Sequence, residues 1–255
     1  MPVTYSKLQG KTIPCVFTGE QAFLFQGQLS SCSLTKEELN NPKLCNLMTE
    51  LTTRKSTNEG STTCYLDEEA WMCIDYPVLQ NWYSVASPRI FIEGGKEEPT
   101  LLVTFGKYNG LPHIEECASS GIAQLVQGTK RWFFWPPGPK PNSNTKAQLV
   151  IWQFSGDTMY IPGGWWHAVH TISEGAVLVG ILWPGSLRNM LDCGQAVKLK
   201  ELQEVADDLG LNYSNRRERQ SVREALTKEM EQEVGLYIYA CSLYLSFFSI
   251  YLTCI

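Results

Sequence analysis

The sequence predicts a mainly β domain, a sandwich or closed barrel with helical flanks, and three observations lead there. Seven short apolar runs, rich in β-branched and aromatic residues, follow one another between residues 100 and 185. Gly and Pro punctuate them, and six of the eight tryptophans (132, 135, 152, 165, 166 and 183) fall in the same stretch. Evenly spaced strands separated by turn residues are the pattern of barrels and sandwiches, because each strand must reverse before its successor can pair with it. The predicted strands cover residues 101–105, 122–126, 131–135, 149–154, 158–161, 168–172 and 176–183.

The flanks read differently. Residues 1–60 form a polar N-terminal flank with one expected helix over 35–51, opened by the capping box of Thr35 and Glu38 and interrupted by Pro42. Residues 61–98 read as short elements with turns that lead into the barrel, assigned to 61–185 with its motif core in 100–185. Residues 186–234 turn helical. Val197, Leu202, Val205 and Leu209 recur at helical spacing and Gly210 is placed to cap. A second helix over 216–234 sets Val222, Leu226, Met230 and Val234 four apart, a stripe suited to the barrel or to a second copy in a homodimer.

Residues 235–255 form an apolar tail. From 236 onward twenty residues carry no charge or proline, long enough to span a bilayer and so to attach the protein to a membrane. Interspersed Ser and Thr and an acidic rather than basic flank argue instead for a packed tail, or for a misread exon end.

The whole chain has 255 residues, a net charge of −5 and a pI near 5.3. That balance offers no bulk attraction to phosphate backbones, so nucleic acid is not indicated as a partner, whereas basic peptides are compatible. Nine scattered cysteines form no C-x-x-C pair, which removes zinc ribbons and dithiol redox motifs and fits free thiols in a reducing compartment. With no basic segment followed by an apolar run at the start, the expected location is cytoplasmic or nuclear.

Chemistry concentrates around three histidines, His113, His167 and His170. In Pro112-His113-Ile114-Glu115 the imidazole and the carboxylate are two apart, so on an extended chain both leave one face and can close on a metal ion. His167 follows the turn Pro162-Gly163-Gly164, which can swing a later strand back across the first. Two His and one carboxylate make a facial triad with three open positions, the arrangement of non-haem Fe(II) oxygenases. His170, three residues on, would face the other way and is read as structural. H-x-E alone also recurs by chance, and Trp165 and Trp166 can simply plug a barrel end.

Three ordered blocks carry more weight: His113-Ile114-Glu115, then 125–132 (LVQGTKRW), then 156–169 (GDTMYIPGGWWHAV). Together they resemble the Jumonji-C family of Fe(II)- and 2-oxoglutarate-dependent oxygenases of the cupin superfamily, and look most like its arginine demethylase and lysyl hydroxylase branch. The resemblance covers about a third of the chain. It implies a double-stranded β-helix, or jelly-roll, barrel with metal ligands His113, Glu115 and His167, and Lys130 paired with the distal carboxylate of 2-oxoglutarate. It also implies dioxygen as cosubstrate and a protein side chain as substrate, hydroxylated or N-demethylated with release of succinate.

Four positions depart from that branch. Gly110 stands where a Thr or Ser is usual, Ala123 where an Asn is usual, and Val179 and Ile181 where Thr and Asn are usual. Thr104 or Tyr108, expected on the preceding strand, would replace the lost hydroxyls. Glu115 in place of Asp still reaches a metal. Two other readings stay open: a degenerate barrel that binds metal as an interaction module, and a cupin-type enzyme using Ni, Co or Zn.

Overall fold

In a computed structural model the chain is described at residues 11–18, 35, 37, 42–51, 54–58, 61–67, 70, 100–183, 186–194, 197–215 and 217–232. Eleven strands lie among these: β1 (Cys15–Phe17), β2 (Arg54–Asn58), β3 (Ser61–Leu66), β4 (Thr100–Phe105), β5 (Tyr108–Asn109), β6 (Ser120–Gln127), β7 (Thr129–Trp135), β8 (Leu149–Phe154), β9 (Thr158–Ile161), β10 (Trp166–Thr171) and β11 (Gly175–Trp183).

Each of the seven runs foreseen from apolar patterning is a strand, with ends shifted by two residues at most. Strands β1, β2, β3 and β5 were not foreseen. β2 reads RKSTN and β5 has two residues, so neither carries an apolar alternation.

The strands build two antiparallel sheets, one in the order β1-β9-β6-β11-β4-β3-β2 and one in the order β5-β10-β7-β8. The chain passes from one sheet to the other between β4 and β5, β5 and β6, β6 and β7, β8 and β9, β9 and β10, and β10 and β11. That is a jelly-roll barrel with flanking helices. Period-two alternation decides what faces inward. On β7, Lys130, Trp132 and Phe134 are buried between half-exposed neighbours, and on β10 their register partners are Thr171, Val169 and His167. Opposite them, Ala123, Leu125, Met159, Ile161, Ala176 and Leu178 close the apolar core with Trp132, Phe134 and Trp165.

Helix α1 (Pro42–Leu51) is shorter than the sequence suggested. Thr35 is not helical but Glu37 is, and Pro42 stands at the first position of α1, where a proline forfeits no intrahelical bond. Leu44 and Met48 are buried, and the Thr49 hydroxyl lies 3.7 Å from the Cys64 thiol of β3.

Past the barrel come α2 (Leu187–Asp192), α3 (Leu199–Asp208) and α4 over residues 219–232. At the end of α3 the Leu211 amide donates to the Ala206 carbonyl and the Gly210 amide to that of Asp207, with Gly210 at φ +66°, a Schellman cap. Val222 and Leu226 pack inside the chain with Met190, Leu202 and Ala206, and Met230 lies against that cluster. Val234 and the tail 236–255 fall outside the described residues. No described helix is long and apolar enough to cross a membrane.

One turn fixes the register on which the interior depends. Gly128, between β6 and β7, has φ +104°, and a Cβ there would sit 2.7 Å from both the Gly175 carbonyl oxygen and the Ser173 hydroxyl. Gly128→Ala therefore meets both a dihedral cost and a backbone collision, and the urea midpoint should fall by the equivalent of about 2 kcal/mol or more.

Candidate metal centre

Residues 111–115 do not form a regular strand. His113 makes one isolated antiparallel bridge to His167 of β10, with its amide donating to the His167 carbonyl at 3.0 Å and the His167 amide returning the bond at 2.8 Å. In a hydrogen-bonded pair the two side chains leave the same face, and the imidazole centroids lie 4.3 Å apart. Glu115, two residues on in extended backbone, adds its carboxylate to that face.

Both rings are oriented from behind. The Nδ1 of His113 lies 2.9 Å from the Leu111 carbonyl oxygen, and the Nδ1 of His167 lies 3.1 Å from that of Trp165. A carbonyl can only accept, so each Nδ1 donates to the backbone behind it and each Nε2 is turned toward the cluster, where it can ligate a metal. Glu115 Oε1 is 3.3 Å from His167 Nε2 and 4.0 Å from His113 Nε2, and the three ligand atoms all lie within 4.8 Å of one another. Adjacent ligands of an octahedral ion with bonds of about 2.1 Å stand about 3 Å apart, so a small contraction suffices. The donor set fits a divalent metal.

A cavity of about 350 Å³ runs inward from this cluster. Lys130 lies four residues from Phe134, the register partner of His167, which is about 13 Å of strand. Its Nζ donates to the Thr171 hydroxyl at 3.0 Å, and burial lowers its pKa to about 8. No carboxylate lies within ion-pair distance among the described residues. Trp132 forms one wall, held by its indole N–H to Gln153 Oε1 at 2.8 Å, while the Gln153 amide donates to the carbonyls of Ala123 and Asp157.

The hydroxyls differ from expectation. Tyr108 lines the cavity, from β5 in the small sheet, whereas Thr104 belongs to β4 in the large one. Thr104 is fully buried outside the lining, with its hydroxyl 3.1 Å from that of Thr63. Thr63 and Tyr65 of β3 do line the cavity, and the sequence reading missed them. Thr63 and Tyr65 are two apart in Ser61–Leu66, the only sequence signal that could have found them.

Gly110 also lines the cavity, but a Cβ there would stand 2.9 Å from the Val169 carbonyl oxygen. Ala123 faces a second cavity of about 260 Å³ that shares Glu115, Trp132 and Leu178 with the first. Val179 and Ile181 line neither; Leu178, Gly180 and Leu182 do, because alternation turns the odd-numbered residues of β11 away. His170 likewise faces outward, its ring 4.7 Å from Phe133, with burial and then the Arg131 charge lowering its pKa.

No family profile and no curated protein matches this sequence. Similar solved structures include oxalate decarboxylase of Bacillus subtilis, at 14% identity and a TM-score of 0.31 over 52% of this chain and 28% of that one. The cupin domain of Schizosaccharomyces pombe Cnp3 matches at 8% identity and 0.32 over 54% and 72%. Drosophila melanogaster CENP-C bound to CAL1 matches at 11% and 0.27 over 37% and 76%. The chain thus spans little more than a quarter of the decarboxylase. The fold is carried by the sheet order and register given above.

Burial of Lys130 has a measurable sign. Its folded pKa lies below the ordinary lysine value of 10.5, so between about pH 8 and 10.5 the unfolded chain binds the extra proton and folding gains as pH rises. In the ligand-free protein, Lys130→Met should raise stability at pH 7 by up to about 3 kcal/mol, and the gain should shrink toward pH 10. Urea titrations at both pH values check it.

Proposed function

We propose that the chain is an Fe(II)- and 2-oxoglutarate-dependent dioxygenase that hydroxylates, or N-demethylates, a protein side chain. One observation carries the reading: a buried ammonium, Lys130, with no carboxylate in ion-pair distance among the described residues, lines the cavity that begins at His113, Glu115 and His167. A lone buried cation is costly unless an anion joins it. An elongated dicarboxylate reaching from the metal cluster to Lys130 would satisfy both ends.

In this reading His113, Glu115 and His167 hold the metal from one side and leave its remaining positions open to the cavity. The metal, when bound with 2-oxoglutarate, would supply the activation of dioxygen that no side chain provides. Lys130 and Thr171 receive the distal carboxylate, and Thr63, Tyr65 and Tyr108 offer hydroxyls along the same walls. Trp132, Leu102 and Leu178 keep the chamber apolar between its ends. The second cavity, beside Glu115, would admit the substrate side chain.

A second reading is favoured by Gly110 and Ala123, which place no donor where one is usual: a barrel that binds metal as an interaction module without turnover. A cupin-type enzyme with a different metal is a third. Succinate release by the full chain with Fe(II) and 2-oxoglutarate separates them. Slow turnover without substrate is expected, abolished by His167→Ala, shifted to about tenfold or more higher 2-oxoglutarate by Lys130→Ala, and unchanged by His170→Ala. Metal binding with neither succinate nor dioxygen consumption at saturating 2-oxoglutarate would favour the interaction module, and dioxygen consumption that proceeds without 2-oxoglutarate would favour the third reading.

A further inference from the structure

We infer that Glu201 of α3 is a positioning residue for the metal centre, clamping the segment that carries His113 and Glu115 onto the C-terminal helices. The inference deepens the proposed metal site and rests on it. Immediately after Glu115 the chain makes a sharp turn in which Cys117 (φ 51°) and Ala118 (φ 48°) both adopt the left-handed conformation. Two successive non-glycine residues there need outside support.

The support is specific. The Cys117 amide donates to Glu201 Oε2 at 3.1 Å, a bond joining residues 84 apart in sequence. Glu201 is largely buried, with its side chain 13% exposed, and Lys198 Nζ stands 3.5 Å from its other oxygen. Ile114, the residue between the two ligands, packs with Cys117 and Ala118 on the cluster formed by Met190, Leu202 and Val222. The other metal arm meets the same cluster. A Cβ on Gly163 would lie 2.5 Å from the Ala118 carbonyl oxygen, and the Cys193 thiol is 3.6 Å from the Gly164 carbonyl oxygen. Both arms of the ligand set therefore brace against helices outside the barrel, and Glu201 supplies a buried charged contact to the backbone beside Glu115, next to the exposed approach of Lys198 Nζ to Glu116 at 3.9 Å.

The test compares full-length wild type, Glu201→Ala and Glu201→Gln, which keeps an acceptor oxygen. Cobalt(II) affinity and its visible spectrum are read first, then backbone amide exchange across residues 111–120 in the metal-free protein. Glu201→Ala should weaken cobalt binding about tenfold, alter the spectrum and speed exchange, and Glu201→Gln should restore most of each, as outer-shell partners of metal ligands do. A merely stabilising residue would lower the melting temperature and leave the affinity of the folded protein alone. Unchanged affinity and exchange in Glu201→Ala, or equal loss in both variants, would overturn the inference. Wild type that binds cobalt but releases no succinate would sink the oxygenase reading alone, with the Glu201 comparison still decisive. A wild type that binds no cobalt would remove both.

Discussion

Two backbone hydrogen bonds between His113 and His167 do more to define this molecule's chemistry than any side-chain contact. They join an irregular segment to β10 at a single point, and because the pair exchanges both bonds, the imidazoles must rise on one face. Everything needed to bring these residues together is spread along the chain. β10 reaches His113 only because it is registered on β7, and β7 holds that register through the tight turn at Gly128. A barrel closes such long-range pairings at once or not at all, so the ligand cluster is a product of the whole fold.

Charge placement inside the barrel follows a related logic. Glu115 and Lys130 line one cavity without forming an ion pair, Lys130 standing about 13 Å of strand from the register partner of His167. Had they met, they would have formed an ordinary buried ion pair and left nothing for a ligand to do. Held apart, each end presents its own demand: the carboxylate flanked by two imidazoles attracts a cation, and the ammonium attracts an anion. The apolar walls between them, Trp132, Leu102 and Leu178, raise the strength of both. In the proposed reading, such a chamber would take a metal ion and an elongated anion together.

Much of this was legible in the sequence because period-two alternation and turn residues are local signals. The strands from β6 to β11 and the separation of His167 from His170 follow from them, whereas Lys130 was singled out only by the family resemblance, since alternation alone reads it equally as an exposed lysine beside Arg131. What stayed hidden depends on other chains of cause. β3 carries Thr63 and Tyr65 into the cavity, yet its sequence STTCYL alternates only weakly in hydropathy. Val179 and Ile181 stand on the face of β11 turned away from both cavities, because regular alternation gives the cavity side to Leu178 and Gly180, and a position matched to a family pattern does not state which face it occupies. The stripe of α4 was visible as a stripe, but periodicity cannot say that its partners are α2 and α3 of the same chain.

Gly110 shows why a missing hydroxyl is not by itself a missing function. β5 approaches β10 so closely that the Gly110 amide donates to the Val169 carbonyl at 3.0 Å, and no Cβ fits between them. A Thr or Ser could be placed there only by moving β5, and β5 carries Tyr108 into the same chamber. The loss of one donor and the approach of another are thus one geometric choice. Because the interior of a barrel is shared by all its strands, a polar group withdrawn from one can be returned by another, as Thr63 and Tyr65 of β3 illustrate from across the cavity. Counting donors strand by strand against a family pattern therefore understates what the chamber can bind, and the quantity that matters is the set of polar atoms facing the cavity.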